Sequence, residues 1–265
     1  MSSPPPSVLV FAASDPSGGA GAQADLLTLA SLGCHPLTVL TALTVQDTHG
    51  VEAMRPIEAS LVARQARCLL ADLPVAAFKL GVLGSAENIA VIAAILAEHP
   101  DIPVVLDPVL ASGRGDALAS ESMPEALLRE LLPRSTLVTP NSLEARRLAG
   151  EDALACCARR LLERGARYVL ITGAHEEGSE VVNTLYAGAG VVREDRWPRL
   201  AGSHHGSGCT LASAIAALLA RGLALPDAVR EAEDYTWHAL AAGFAAGGGQ
   251  LIPDRFFRLR EPGAS

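Results

Sequence analysis

The sequence predicts a single α/β domain built on a mostly parallel central sheet, and three observations carry that expectation. Short apolar runs bounded by Gly, Pro or Asp alternate with longer stretches of helical periodicity. Those runs are apolar throughout, as strands buried on both faces are. Hydrophobic residues make up 49% of the 265 residues but aromatics only 4%, so Ala, Leu and Val must build the core.

The runs follow one another in order. Residues 8–12 read as the first strand, followed by a Gly-rich turn and a helix over 22–32. Residues 37–44 read as the next strand, and 76–80, 104–106, 137–139 and 168–172 as further short strands. Helical candidates over 86–98, 143–149 and 152–164 lie between them. Apolar strands separated by helices imply right-handed βαβ crossovers. Residues 181–186 and 190–194 read as a hairpin near one edge, and 209–244 as nearly all helix. No internal repeat or low-complexity linker divides the chain, so 1–265 is expected to be one domain with a frayed tail at 1–6.

Charge and composition narrow the function. The net charge is -8 and no basic run occurs, which excludes the concentrated positive face that nucleic-acid binding requires. The start of the chain, MSSPPPS, has neither the basic nor the apolar region of a signal peptide. The longest apolar stretch, 211–225, is broken by Arg221, so no membrane span is expected. Five cysteines form no CxxC pair, which predicts reduced thiols and a cytoplasmic protein.

In open parallel sheets, ligands bind outside the carboxyl ends of the strands. Four segments there could carry chemistry. Gly206, Ser207, Gly208, Cys209 and Thr210 precede an apolar helix. The glycines allow a tight turn that aims N–H groups at one point, and the helix dipole favours an anion there. The same field is expected to lower the Cys209 thiol pKa, although a small buried Cys at a Gly-rich helix start fits the pattern about as well. Asp107 ends an apolar strand, as a partner for a metal or hydroxyl or as a turn cap. Asn141 and Glu144, after Pro140 in a first helical turn, place two oxygen donors three residues apart for hydrated Mg²⁺, or simply form a capping box. Lastly, Gly19, Gly21 and Ala24 match GxGxxA with Asp47 further on, but residues 13–18 separate them from the strand, unlike a dinucleotide turn.

Lys79 is the only lysine and no GxxxxGK[ST] surrounds it, which excludes a P-loop; GxSxG and HExxH are also missing. His204 and His205 lack the spaced partners of a metal site and read as solvent-exposed or ligand-contacting.

Taken together and in this order, SDPSGGAGAQADL, ALTVQDTHGV, KLGVLG, DPVLASGRGDAL, TPNSLEA, ITGAH and HGSGCTLASAIAA resemble the hydroxymethylpyrimidine/phosphomethylpyrimidine kinases of thiamin biosynthesis, within the ribokinase-like family. The resemblance spans essentially the whole chain and implies a three-layer α/β/α sandwich. Cys209, where ribokinases generally carry Asp, marks the pyrimidine branch. By resemblance, Cys209 takes the proton of a substrate hydroxymethyl group, and the N–H groups of Gly206, Ser207, Gly208 and Cys209 stabilise the transferring phosphoryl. Asn141 and Glu144 organise Mg²⁺ with ATP, and Asp107 helps position metal or phosphate. Gln46 reads an aminopyrimidine edge, Ala20 and Val82 line the ring pocket, and Asp25 supports it. Thr172 and Gly173 belong to the nucleotide side. Relatives are often dimers, so a homodimer is a further implication.

The chain departs from the family pattern twice. Thr172-Gly173-Ala174-His175 stands where Lys-Gly-Gly-His is common, which removes a cation that only Arg114 or another Arg could replace. Gly113-Arg114 replaces the usual Lys or Thr with Ser in the flap after Asp107. Pyridoxal kinase of the same fold is the nearest alternative, although no second Cys lies in that flap. An NAD-dependent oxidoreductase and a non-catalytic sensor are more distant readings.

Overall fold

The computed structural model describes residues 4–110, 122–188 and 190–260, and Gly113 and Arg114 lie outside them. In chain order the first half comprises β1 (Ser7–Ser14), α1 (Gly21–Ser31), β2 (His35–Gln46), β3 (Val51–Pro56), α2 (Ala59–Asp72), β4 (Val75–Leu80), α3 (Ala86–Ala97) and β5 (Val104–Leu106). After α4 (Met123–Ala126) come a π turn at Leu127–Leu131 and a 3-10 turn at Leu132–Arg134. Next are β6 (Leu137–Val138), α5 (Ser142–Ala149), α6 (Leu154–Glu163) and β7 (Tyr168–Ile171). The chain ends in β8 (Glu180–Ala187), β9 (Gly190–Pro198), α7 (Ser207–Ala220), α8 (Leu225–Ala241) and α9 (Phe257–Arg260).

The strands form one nine-stranded sheet in the order β3-β2-β1-β4-β5-β6-β7-β8-β9. From β2 to β7 all neighbours are parallel, whereas β3 at one edge and the β8–β9 hairpin at the other are antiparallel. Alternation along β1 sends Leu9 and Phe11 into a core with α2, α3, α5 and α6. Val8 and Val10 enter a second core with α1, α7 and α8. The expected sandwich and its parallel centre are therefore present.

Several boundaries move. β2 runs on to Gln46, placing that side chain at a strand end. The segment 51–72 received no element from sequence, yet it forms β3 and α2. β3 carries charge and proline on an exposed edge, and only Val62 and Ala66 of α2 are buried. The helical 209–244 region breaks into α7 and α8 at a turn containing Gly222, whose φ is 91°. Of the expected tail, Pro6 is already fixed, its carbonyl accepting from His35 N–H at 2.9 Å. No helix among the described residues is long and apolar enough to cross a membrane.

Candidate active site

The carboxyl ends of β1 and β5 meet the start of α7, where Gly206 lies against Gly19 and Gly208 against Asp107. Gly206 caps that helix with φ 78° and ψ 22°, a left-handed conformation. A Cβ there would also collide with the Gly19 carbonyl oxygen, so glycine alone lets α7 pack against the β1–α1 turn. The first bond of the helix runs from Thr210 N–H to Gly206 O at 2.9 Å. The N–H groups of Ser207, Gly208 and Cys209 lie ahead of it, at the positive end of the dipole.

Cys209 is half-buried and its sulfur accepts a hydrogen bond from Gly21 N–H. Its thiol is pushed up to about 12 by burial, which outweighs the nearby Lys79 ammonium, while the Asp107 and Asp25 carboxylates push the same way. The expected lowering is thus reversed. A helix terminus is worth a fraction of a kcal/mol to about 2 kcal/mol, less than desolvation beside two carboxylates.

Asp107 follows β5 and is buried, and its carboxyl is raised to about 6 by burial against the pull of Lys79. A Cβ on Gly208 would lie 3.8 Å from both Asp107 oxygens, so the carboxylate faces the α7 start with only hydrogen between them. Asp107 Oδ2 is buried without a hydrogen-bond partner. Glu144 is pushed up to about 8, first by burial and then by the charge of Asp107. A buried carboxyl with an orphaned oxygen, whose charge raises a second carboxyl nearby, suits a cation. Among the described residues no group of three or more His, Cys, Asp or Glu could hold a metal by itself.

Asn141 and Glu144 form the capping box. Asn141 Oδ1 accepts from Glu144 N–H at 2.9 Å and Glu144 Oε2 accepts from Asn141 N–H at 3.0 Å. Asn141 is thus the N-cap, and Pro140 precedes the helix instead of opening it. The Asn141 oxygen is turned to the helix, which leaves Asp107 and Glu144 as the electrostatically linked pair.

Asp25 lies inside the protein, beneath the anion turn. It is fully buried, with its carboxylate 2.8 Å from Lys79 Nζ and accepting from Ser213 Oγ at 2.7 Å. Asp25 thereby joins α1, β4 and α7. On the ring side, Ala20 and Val82 are half-buried, and Thr41 Oγ1 donates to the Val82 carbonyl at 2.5 Å. Gln46 is half-buried and lies 2.9 Å from His205 Nε2, which in turn lies 2.8 Å from Asp15 Oδ2. His205 is buried, contrary to the expectation of an exposed loop histidine.

At the far end, Thr172 follows β7 and exchanges backbone bonds with the start of α5, giving N–H to Pro140 O and taking Ser142 N–H. Gly173 N–H donates to Asn183 Oδ1 at 3.1 Å. Arg199 donates to the carbonyls of Ala174, Glu176, Gly178 and Glu180, and Arg146 pairs twice with Glu176. Both guanidiniums are thereby engaged, so neither stands in for the missing lysine.

A family model described as phosphomethylpyrimidine kinase matches residues 15–253. The chain belongs to this family. Within the phosphomethylpyrimidine kinase family, it is 44% identical to the hydroxymethylpyrimidine/phosphomethylpyrimidine kinase of Streptomyces coelicolor over 97% of both chains. It is 38% identical to the enzyme of that name from Mycobacterium tuberculosis strain H37Rv, covering 96% of this chain and 95% of the other. Among solved structures, pyridoxal kinase from Staphylococcus aureus in complex with ADP matches with TM-score 0.86 and 28% identity, covering 97% and 96% of the chains. Phosphomethylpyrimidine kinase from Clostridium difficile 630 matches with TM-score 0.77 and 32% identity, over 87% and 97%. These likenesses bear out the ribokinase-like fold and the kinase reading.

Sequence reasoning assigned no role to Lys79, Asp15 or Arg255. Arg255 is buried behind the anion turn, donating to the Gly18 and Gly19 carbonyls and to Thr210 Oγ1. Lys79 did carry a signal, as one lysine inside an otherwise apolar strand. Arg255 carried none, because its partners, the Gly18 and Gly19 carbonyls and Thr210 Oγ1, lie 45 to 237 residues away.

Proposed function

We propose that this phosphomethylpyrimidine kinase family member transfers the γ-phosphoryl group of ATP to 4-amino-5-hydroxymethyl-2-methylpyrimidine and then to its monophosphate, giving the diphosphate used in thiamin biosynthesis. The observation that carries the reading is Cys209 at the third residue of α7, with the Asp107 carboxylate facing the same helix start. Cys209 first gives its own thiol proton to solvent; the substrate hydroxyl oxygen then attacks the γ-phosphorus, the bond from that phosphorus to the β–γ bridging oxygen breaks to leave ADP, and the hydroxyl proton passes to the Cys209 thiolate. In the second turnover a phosphate oxygen of the monophosphate attacks in the same way. The N–H groups of Ser207, Gly208 and Cys209 face the charge that develops on the transferring group.

Free of ligand, the protein holds Cys209 as the thiol at neutral pH. Lys79, buried just beneath, is the fixed positive charge that favours the thiolate. Mg²⁺ fits the donor set: Asp107, with its unpartnered oxygen, and Glu144 would hold it, with Asn141 setting the Glu144 backbone through the cap. It would supply positive charge against the ATP phosphates. Thr172 and Gly173, braced by Asn183, form the floor of the nucleotide side. Gln46, Ala20 and Val82 form the ring side.

The likeness to Staphylococcus aureus pyridoxal kinase supports a second reading, since pyridoxal also presents a hydroxymethyl group on a heteroaromatic ring. Its 28% identity stands against 44% for the pyrimidine kinase. Cys209→Ala tests the assigned base: turnover should be lost while ATP still binds by calorimetry. Undiminished turnover would remove Cys209 from the mechanism.

A further inference from the structure

We infer that His205, held by Asp15, is a positioning residue that fixes which way the Gln46 amide faces, and so makes the ring pocket select a ring nitrogen beside an exocyclic amine. This rests on the pyrimidine reading above and adds the source of its selectivity.

Proton bookkeeping carries the inference. Asp15 receives Ser17 N–H at 2.9 Å, Ser17 Oγ at 2.8 Å and Ala20 N–H at 2.7 Å, so its partners are donors. Burial pushes Asp15 up, but its hydrogen bonds from His205, Ser17 and Ala20 outweigh that and hold it below the usual carboxylate range. A carboxylate accepts only. His205 Nε2, 2.8 Å from Asp15 Oδ2, must therefore carry a hydrogen.

That assignment reaches Gln46. One amide end of Gln46 lies 2.9 Å from the same Nε2, and a protonated nitrogen cannot accept from an NH₂ group. The end facing His205 is thus the carbonyl, which shares the one Nε2 hydrogen with Asp15 Oδ2 in a three-centre contact. The other end, the NH₂, faces Thr44 Oγ1 at 3.1 Å. Thr44 can accept it, because its own hydrogen goes to the Ser14 carbonyl at 2.9 Å. Every donor then meets an acceptor. In the opposite orientation two donors face each other across the His205–Gln46 contact, which no sharing of hydrogens relieves.

Two further contacts keep the ring in place. A Cβ at Gly19 would overlap the His205 ring, so glycine there makes room for it. His205 N–H is tied to the Leu251 carbonyl at 2.8 Å. With one lone pair and one N–H engaged, Gln46 keeps one acceptor and one donor site for a ligand, side by side. An amine next to a ring nitrogen matches that pair, and a ring oxo group next to N–H matches only the reversed amide.

The test compares 4-amino-5-hydroxymethyl-2-methylpyrimidine with its 4-oxo counterpart. The wild-type chain should favour the amine by about 100-fold or more in kcat/KM. In His205→Ala and in Asp15→Asn the preference should narrow at least about tenfold, through a raised KM for the amine with KM for ATP unchanged. A variant that folds and keeps the full preference overturns the positioning role and leaves the kinase reading standing. Wild-type protein that phosphorylates neither pyrimidine overturns both. Independently of any variant's folding, ¹⁵N NMR of the wild-type imidazole should show His205 protonated at Nε2. A ring protonated only at Nδ1 overturns the inference.

Discussion

Lys79→Met removes the only lysine of the chain from one of its most buried positions. Nζ lies 2.8 Å from Asp25 Oδ1 and 2.9 Å from Oδ2, with neither side chain exposed. Burial disfavours the ammonium, but the charge of Asp25, with those of Cys209 and Asp107, raises its pKa on balance. Met fills a similar volume, so the dominant loss is electrostatic: Asp25 keeps Ser213 but loses its counter-ion. Breaking a buried pair from one side costs about 3–5 kcal/mol. For a chain of this size that corresponds to a fall in Tm of about 6–20 °C. Removing both charges in Lys79→Met/Asp25→Leu should restore most of the loss, because two apolar groups need no counter-ion. Urea unfolding of the wild type, both single variants and the double variant measures this coupling directly. The lone lysine also gives a second readout. An amine-reactive ester should label only the terminal α-amine of the native protein and reach Lys79 only after global opening. A single variant within about 1 kcal/mol of wild type, a double variant no better than the single ones, or labelling of native Lys79 would refute the reasoning.

Other consequences follow from the same geometry. Glu233 is buried, accepts from Trp197 Nε1–H at 3.2 Å, and is raised to about 7 chiefly by burial. The folded state therefore binds more protons than the unfolded one between the ordinary 4.5 and about 7, so stability falls as pH rises through that window, by up to about 3 kcal/mol. Glu233→Gln should lessen that slope in urea melts from pH 4 to 8, leaving the share of Asp107 and Glu144, and an unchanged slope would exclude Glu233 as a contributor. With its thiol pushed up to about 12, Cys209 of the free protein should react with iodoacetamide far more slowly at pH 7 than exposed Cys68, by peptide mass spectrometry. Gly206→Ala, which would force a side chain into a left-handed turn against Gly19, should reduce kcat more than about a hundredfold, while Gly222→Ala, with open space around it, should not.

The layered architecture was legible because its parallel strands are mainly apolar, Lys79 being the charged exception in β4, and their ends carry Gly, Pro and Asp. Cys209, Asp107 and the residues 206–208 were legible for a related reason: local spacing alone puts them at strand and helix ends. What escaped depends on distant partners. Asp25 sits beside glycines in sequence and looked like part of the pocket, but the helical turn of α1 directs it inward to Lys79. His205 reads as one of a polar pair until Asp15, 190 positions away, accepts its ring hydrogen. The direction of the Cys209 shift was missed because the helix dipole is visible in sequence, whereas the desolvation and neighbouring carboxylates that overcome it exist only once the chain has folded.

Two successive phosphorylations of one pyrimidine, with Cys209 as base, can be followed by phosphorus NMR of the protein with ATP, Mg²⁺ and 4-amino-5-hydroxymethyl-2-methylpyrimidine. A monophosphate signal should rise and then give way to a diphosphate, with two ADP formed per pyrimidine. A dominant pyridoxal phosphate product when pyridoxal competes in the same tube, with no pyrimidine diphosphate, would contradict it.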